Sequence, residues 1–195
     1  MTDDNPLEKF ASWFEDAKES EPSLPESMSV ATVGPNGQPS SRMVLLKSFD
    51  DEGFVFYTNF NSRKGLEIKE NPKAALLFHW KSLNRQVRIA GPVNEVSPDE
   101  ADAYFATRPR GAQIGAWASD QSKAMDGGMD LEKAVARYTA KFGAKKIDRP
   151  PFWSGYRVAP LEMEFWSERR FRLHLREHYR RESDGQVWQK ELLYP

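Results

Sequence analysis

The sequence predicts a mainly β fold: an antiparallel sheet closed as a barrel, with α-helices at its periphery. Three observations predict it. About seven apolar runs of strand length follow one another with turn residues between them. The signals Gly34-Pro35-Asn36-Gly37 and Asp50-Asp51-Glu52-Gly53 join neighbouring runs directly, as antiparallel strands allow and parallel strands do not. The chain also has no internal repeat and no GxGxxG, so a doubly wound dinucleotide fold is not expected.

The elements follow in order. Pro6 to Lys18 sets Leu7, Phe10, Trp13 and Phe14 at helical spacing, and Pro22 and Pro25 end that helix. Met28 to Val33 is a strand that returns through the Asn-Gly turn into Ser40–Lys47. Phe54 to Tyr57 follows the second turn. Ser62 caps a short helix that runs to Asn71 and is stopped by Pro72. Ala74–Trp80 and Arg85–Ala90 pair across Ser82–Asn84, and Gly91-Pro92 breaks the second before Val93–Val96 resumes. Ser97-Pro98-Asp99-Glu100 is a capping box with proline at the first helical position, opening a helix that ends near Arg108-Pro109-Arg110. Asp130 to Phe142 is a further helix with Gly143 as its stop, and Pro150-Pro151 separates the last section. There Leu161–Trp166 alternates as a half-buried strand, and Phe171–Arg181 with Val187–Leu193 makes a hairpin around Ser183-Asp184-Gly185. One domain over 1–195 is expected, with an N-terminal helix and acidic arm (1–27) before a barrel with inserted helices (28–195).

Composition narrows the partners. The 195 residues are 29% charged with a formal net charge of −1, which argues against a general nucleic-acid binder. The charge is uneven: residues 1–27 carry eight acids against two lysines, and 169–181 carry six arginines against Glu177. With no cysteine there are no disulfides, thiolate nucleophiles or thiolate metal sites, and His79, His174 and His178 lack zinc-ligand spacing, so no metal is expected. No apolar stretch approaches the ~20 residues of a membrane helix. The acidic start lacks the features of a signal peptide, so a cytoplasmic location and no membrane partner are expected.

The chemistry concentrates between Arg42 and Lys64. Arg42-Met43-Val44-Leu45-Leu46-Lys47 carries a cation at each end of an apolar run, and Ser62-Arg63-Lys64 opens a helix soon after Tyr57-Thr58-Asn59. Cations on strand ends beside a helix N-terminus suit phosphate groups. Arg42 and Lys47 are five apart, so on one strand they face opposite ways and serve different partners; the plainer reading is a pair of solvated charges. Gln86, between Arg85 and Arg88, is either a donor–acceptor for a planar heterocycle or a surface residue. Tyr104 and Arg108 share a helix face, as a phosphate clamp or as an aromatic ring under an arginine stem. Gln121-Ser122 offers polar groups on a loop. Arg172, His174 and Arg176 alternate opposite an apolar Phe171, Leu173 and Leu175, so the basic face is either solvated or lining a site. His174 has no carboxylate nearby in sequence, which leaves a Ser-His-Asp hydrolase without support. These residues together point to phosphorylated small molecules.

In order, the motifs Arg42–Lys47, Phe56-Tyr57-Thr58-Asn59, Ser62-Arg63-Lys64, Arg85-Gln86-Val87, Tyr104-Phe105, Arg108-Pro109-Arg110, Gln113-Ile114-Gly115-Ala116-Trp117, Gln121-Ser122, Phe152-Trp153-Ser154-Gly155, Glu164-Phe165-Trp166 and Arg172-Leu173-His174 closely resemble the pyridoxine/pyridoxamine 5′-phosphate oxidase family. The resemblance runs from about Leu7 to the C-terminus. It implies an FMN-binding split barrel, a homodimer with FMN at the subunit interface, and oxidation of pyridoxine or pyridoxamine 5′-phosphate to pyridoxal 5′-phosphate by dioxygen with release of hydrogen peroxide. It assigns flavin contacts to Arg42, Met43, Val44, Leu45, Leu46, Lys47, Tyr57, Thr58, Arg63, Lys64, Gln86, Gln121, Ser122, Trp166 and Arg176. Lys47, Tyr104 and Arg108 would hold the substrate phosphate, and Arg172 and His174 would lie over the substrate ring as the catalytic pair. The chain departs from the family at Ala112 (usually serine), Leu175 (usually aspartate) and Leu192-Leu193 (usually an arginine-leucine pair), and its acidic start differs from the basic arm of some relatives. Two other readings remain: a flavin- or vitamer-binding split barrel with little turnover, and a related flavin oxidoreductase with another acceptor.

Overall fold

Side chains that alternate between a wet and a dry face turn the apolar runs into one curled sheet. The structure, a computed structural model, describes residues 5–195, so residues 1–4 of the expected acidic arm lie outside it. Strands β1 (Ser27–Val33) and β2 (Pro39–Leu45) form the expected hairpin, in register from Ser27↔Leu45 to Val33↔Pro39. Then come β3 (Ser48–Asp50), β4 (Gly53–Asn59), β5 (Lys73–Trp80), β6 (Arg85–Glu95), β7 (Trp153–Val158), β8 (Glu162–Ser167), β9 (Leu175–Arg180) and β10 (Gln189–Leu193). Every pairing among them is antiparallel. The main path is β10-β9-β8-β6-β5-β1-β2, and β3-β4-β7 branches from β6. Lys47 N–H donates to Val55 O (2.9 Å), which brings β4 beside the end of β2 and curls the sheet into a half-barrel.

Strand β6 joins the two halves. One edge pairs with β5 over Arg85–Pro92, while the other pairs with β8 over Arg85–Ala90 and with β7 over Val93–Glu95. The expected break at Gly91-Pro92 is therefore a change of partner inside a continuous strand. Proline has no N–H to contribute there, and its carbonyl accepts from Ala159 N (2.9 Å). Gly91 is required by close approach, since a Cβ would lie 1.8 Å from Ala159 O.

Helix α1 (Pro6–Ser20), capped by Asn5, drives Phe10 into the end of the half-barrel. Phe10 is fully buried and meets Phe49, Phe54 and Phe78 edge-on at 4.9–5.1 Å. Burying one such ring is worth about 1.5–3 kcal/mol. Asp16–Arg85 (2.6 Å) and Lys9–Glu177 pin the helix to β6 and β9. Helix α2 (Arg63–Glu70) has Ser62 and Asn71 as its caps, as expected. Helices α3 (Pro98–Thr107), α4 (Arg110–Ala118) and α5 (Asp130–Phe142) enclose a satellite core of Phe105, Ile114, Ile147 and Trp153.

The sequence reading needs three corrections. It missed α4, β7 and the short β3. The run Phe171–Arg181 is not one strand: Arg170–Arg172 is a 3₁₀ turn, Phe171 and Arg172 have φ of 60° and 62°, and extended backbone begins only at Leu175. Left-handed residues cannot continue a strand, so Arg172, His174 and Arg176 do not alternate on one face. The apolar face expected opposite them is likewise absent, with Phe171 88% and Leu173 65% exposed.

Candidate functional site

A cleft of about 440 Å³ opens where β2, β4 and the start of α2 meet the helical layer. From β2 and its exit come Met43, Val44, Leu45 and Lys47, and from β4 Tyr57, Thr58 and Asn59. Helix α2 contributes Lys64, and α3 with its C-cap contributes Tyr104 and Arg108. Ala112, Gly115 and Ala116 of α4, then Ser119, Gln121 and Trp153 of β7, complete the wall. Lys47, Lys64 and Arg108 thus share a lining that contains no carboxylate.

Each cation has a distinct setting. Lys64 is 7% exposed and donates only to neutral oxygens: Thr58 Oγ1 (3.0 Å), Gln121 Oε1 (3.1 Å) and Ser62 Oγ (3.3 Å). Burial, and behind it the charge of Arg42, lowers its pKa to about 8. Arg108 lies over the Trp153 ring at 4.6 Å, and its Nη1 is buried with no hydrogen-bond partner. Burial lowers the Arg108 pKa, opposed by Tyr104. Tyr57 stacks on Tyr104 at 4.0 Å, and burial first, then Glu100, pushes its hydroxyl up to about 12.

Not all the predicted residues line the cleft. Arg42 turns aside: its Nη1 donates to Thr32 Oγ1 (2.6 Å), and its Nη2 reaches Ser40 and Glu67. Lys47 lies beyond the end of β2, so its separation from Arg42 comes from the strand's termination as much as from alternation. Glu67 also accepts from Arg63 Nε (2.8 Å), Thr32 and Ser40 (both 2.5 Å). Burial alone would raise its pKa, but these bonds prevail and hold it at about 2. Leu46 is in the core, and Ser122 is exposed with φ 72°.

A second group lies elsewhere. Gln86, Trp166 and Arg176 are cross-strand neighbours on β6, β8 and β9. Arg176 grips Glu164 through Nε (2.8 Å) and Nη2 (3.0 Å), and Arg88 donates to the same carboxylate (3.0 Å). His174 packs on Trp166 (4.6 Å) and accepts from Arg169 N at Nδ1, while Arg172 stays exposed in the 3₁₀ turn. None of these lines the cleft. By the order β8-β6-β5-β1-β2, Trp166 is four strand steps from β2, roughly 19 Å along the sheet. Between the groups runs a row of paired positions, Met43, Ser29, Leu77, Arg88, Glu164 and His178, flanked by the small residues Ala31, Ala75 and Ala90.

Sequence reasoning missed Glu67 and Ser119, weighed Ala112 only as a departure from the family, and quoted Asn59, Gly115, Ala116 and Trp153 without giving them a role. Only Glu67 carried a signal, its spacing of four from Arg63. Among the described residues no cluster of three His, Cys, Asp or Glu could hold a metal ion, and no helix is long and apolar enough to cross a membrane.

Fold and cleft together define a split-barrel protein with a cationic cavity. The family model described as pyridoxamine 5′-phosphate oxidase matches residues 14–142, and one described as the pyridoxine 5′-phosphate oxidase C-terminal dimerisation region matches 153–195. The chain belongs to the pyridoxamine 5′-phosphate oxidase family. It is 57% identical to the pyridoxine/pyridoxamine 5′-phosphate oxidase of Chelativorans sp. (strain BNC1) over 97% of this chain and 90% of that protein. It is 56% identical to the protein of the same name from Brucella canis (strain ATCC 23365 / NCTC 10854 / RM-666), over 97% and 94%. The crystal structure of PhzG from Burkholderia lata 383 in complex with tetrahydrophenazine-1-carboxylic acid superposes with a TM-score of 0.91 at 32% identity, over 98% and 93% of the two chains.

Proposed function

We propose that the protein oxidises pyridoxine 5′-phosphate and pyridoxamine 5′-phosphate to pyridoxal 5′-phosphate with dioxygen, releasing hydrogen peroxide, and that FMN is its cofactor. One observation carries this reading: three cations, one with a buried unpaired N–H, converge on a cleft with no acid in its lining. An unpartnered buried donor is costly, and an anionic ligand removes the cost. The names of the relatives support the same chemistry.

Lys64, with Arg63 and the N-terminus of α2, would hold the flavin phosphate, and Met43–Leu45 would flank the ring. Lys47, Tyr104 and Arg108 would hold the substrate phosphate. The flavin, when bound, supplies the hydride acceptor and passes the electrons to dioxygen; the chain's part is to fix distance and exclude water. Gln86, Trp166, Arg172, His174 and Arg176 would reach the flavin and substrate ring of a second protomer across a homodimer interface. The match of residues 153–195 to a dimerisation region supports this. One folding unit and a cytoplasmic location accompany the reading.

The experiment is purification followed by turnover. A yellow protein with stoichiometric FMN that releases peroxide on addition of pyridoxine 5′-phosphate is the expected result. A colourless protein that takes up no added FMN removes the reading.

A further inference from the structure

One aromatic residue of the cleft wall reaches both members of the Tyr104–Arg108 pair, Arg108 directly and Tyr104 through Tyr57. Trp153 opens β7 and is 7% exposed. Its ring is nearly parallel to that of Tyr57 (5.3 Å, 11°), and Tyr57 in turn stacks on Tyr104 (4.0 Å, 17°). The Arg108 guanidinium lies 4.6 Å from the Trp153 centroid. The strand register makes this possible, because Tyr57 lies opposite Gly155 and Asn59 opposite Trp153. A Cβ at Gly155 would come within 2.8 Å of the Tyr57 ring, so glycine leaves the space through which that ring reaches the indole.

Arg108 needs such a support. It is the C-cap of α3, with ψ of 142°, so helical backbone no longer fixes its direction. Its Nη1 has no hydrogen-bond partner to aim it. A guanidinium lying against an indole is attracted by the ring and keeps its in-plane N–H groups available for an anion.

We propose that Trp153 is the positioning residue of the substrate-phosphate clamp, orienting Arg108 directly and Tyr104 through Tyr57. The proposal rests on the reading above that Tyr104 and Arg108 hold the substrate phosphate. Trp153 takes no part in the chemistry and acts through those two side chains.

The test uses the flavin-loaded enzyme, with Trp153→Leu removing the ring and Trp153→Phe keeping an aromatic face. Two constants are measured beside flavin content: KM for pyridoxine 5′-phosphate and the inhibition constant of inorganic phosphate. Trp153→Leu is expected to raise both about tenfold, with a smaller change in kcat, and Trp153→Phe to restore most of the loss. A residue that merely fills the core would lower flavin content and kcat while leaving both constants alone, and that result overturns the proposal. If Trp153→Leu does not fold, Gly155→Ala decides, since it displaces Tyr57 while keeping the indole; an unchanged KM there overturns the proposal too. A parent enzyme that neither turns over pyridoxine 5′-phosphate nor binds phosphate would instead overturn the functional reading beneath it.

Discussion

The cleft and the β6–β8–β9 end of the sheet are both rich in arginine and lysine, yet they handle charge in opposite ways. In the cleft, Lys47, Lys64 and Arg108 face a cavity without a carboxylate, and Arg108 keeps a buried N–H unpaired. At the sheet end, Arg88 and Arg176 share Glu164, and His178 meets Glu191 at 3.0 Å. The first region leaves its positive charge uncompensated, as the proposed phosphate binding requires. In the second each of these cations already has a carboxylate partner, so burying it costs less than burying unpaired charges. That suits a surface covered by another protomer.

The sharpest way to break this comparison is to keep the cleft and spoil the outer face of the sheet. Leu77→Glu puts a charge in the row between Ser29 and Arg88. We expect monomers in sedimentation and loss of nearly all bound flavin, with the cleft sequence untouched. A monomer that still holds stoichiometric FMN would show that the cleft alone suffices.

Next in size are single contacts. Arg108→Ala should cost about 1.5–3 kcal/mol in kcat/KM for pyridoxine 5′-phosphate, roughly 10- to 150-fold, with flavin retained. Arg172→Ala and His174→Ala should fall in the same range even though neither residue lines the cleft of its own protomer. Steady-state kinetics equal to the parent's in both would remove them from the substrate site.

The two regions should also differ in their response to pH. Lys64 has a pKa lowered to about 8, and a phosphate favours its charged form. Titrating flavin-stripped protein should therefore show FMN affinity falling as pH rises through about 8, and Lys64→Arg should flatten that dependence. Without ligand the sign reverses for stability. The native state releases the Lys64 proton more readily than the unfolded chain, so stability rises between about pH 8 and the usual lysine range. Glu67 acts at the acid side: with its pKa held at about 2, its contribution is complete above the ordinary carboxylate range and is lost as pH falls toward 2. Denaturation midpoints followed against pH check both signs.

The smallest effects concern the departures from family pattern. Ala112 lines the cleft with Arg108, so Ala112→Ser should lower KM by an amount on the order of 0.5–1.5 kcal/mol. Leu175 is half-buried at the first position of β9, opposite Ser167. Leu175→Asp should cost about 1 kcal/mol, a shift of roughly 2–4 °C in Tm, with little change in peroxide production. A larger gain in turnover would assign that position a part in the chemistry.

What was legible in the sequence was what local chemistry decides. Ser62 and Ser97 cap their helices, and the Asn36-Gly37 turn sets the β1–β2 register. Helix α4 was not legible because Pro109 offers no side-chain cap and two glycines lower its propensity; packing of Trp117 on Tyr138 and Phe142 stabilises it. Strand β7 is buried on both faces, so it shows no alternation. The left-handed Phe171 and Arg172 follow no propensity, and they misled the reading of Arg172 and His174. In the site, the motifs named Lys47, Lys64, Tyr104 and Arg108, which the fold gathers in one cleft, whereas the Glu67 network depends on tertiary contacts with Thr32 and Ser40 that no local pattern signals.

Strand β6 has a kinetic consequence. Its pairing with β5 closes a short hairpin, but Val93 must find Val158 and Gln86 must find Trp166, partners 65 and 80 residues further along the chain. Loop-closure entropy makes those contacts late ones, so the β5–β6 hairpin can form early while the change of partner at Gly91-Pro92 waits for the C-terminal third of the chain. Until then β6 exposes an unpaired edge of eleven residues, open to pairing with the wrong neighbour during synthesis.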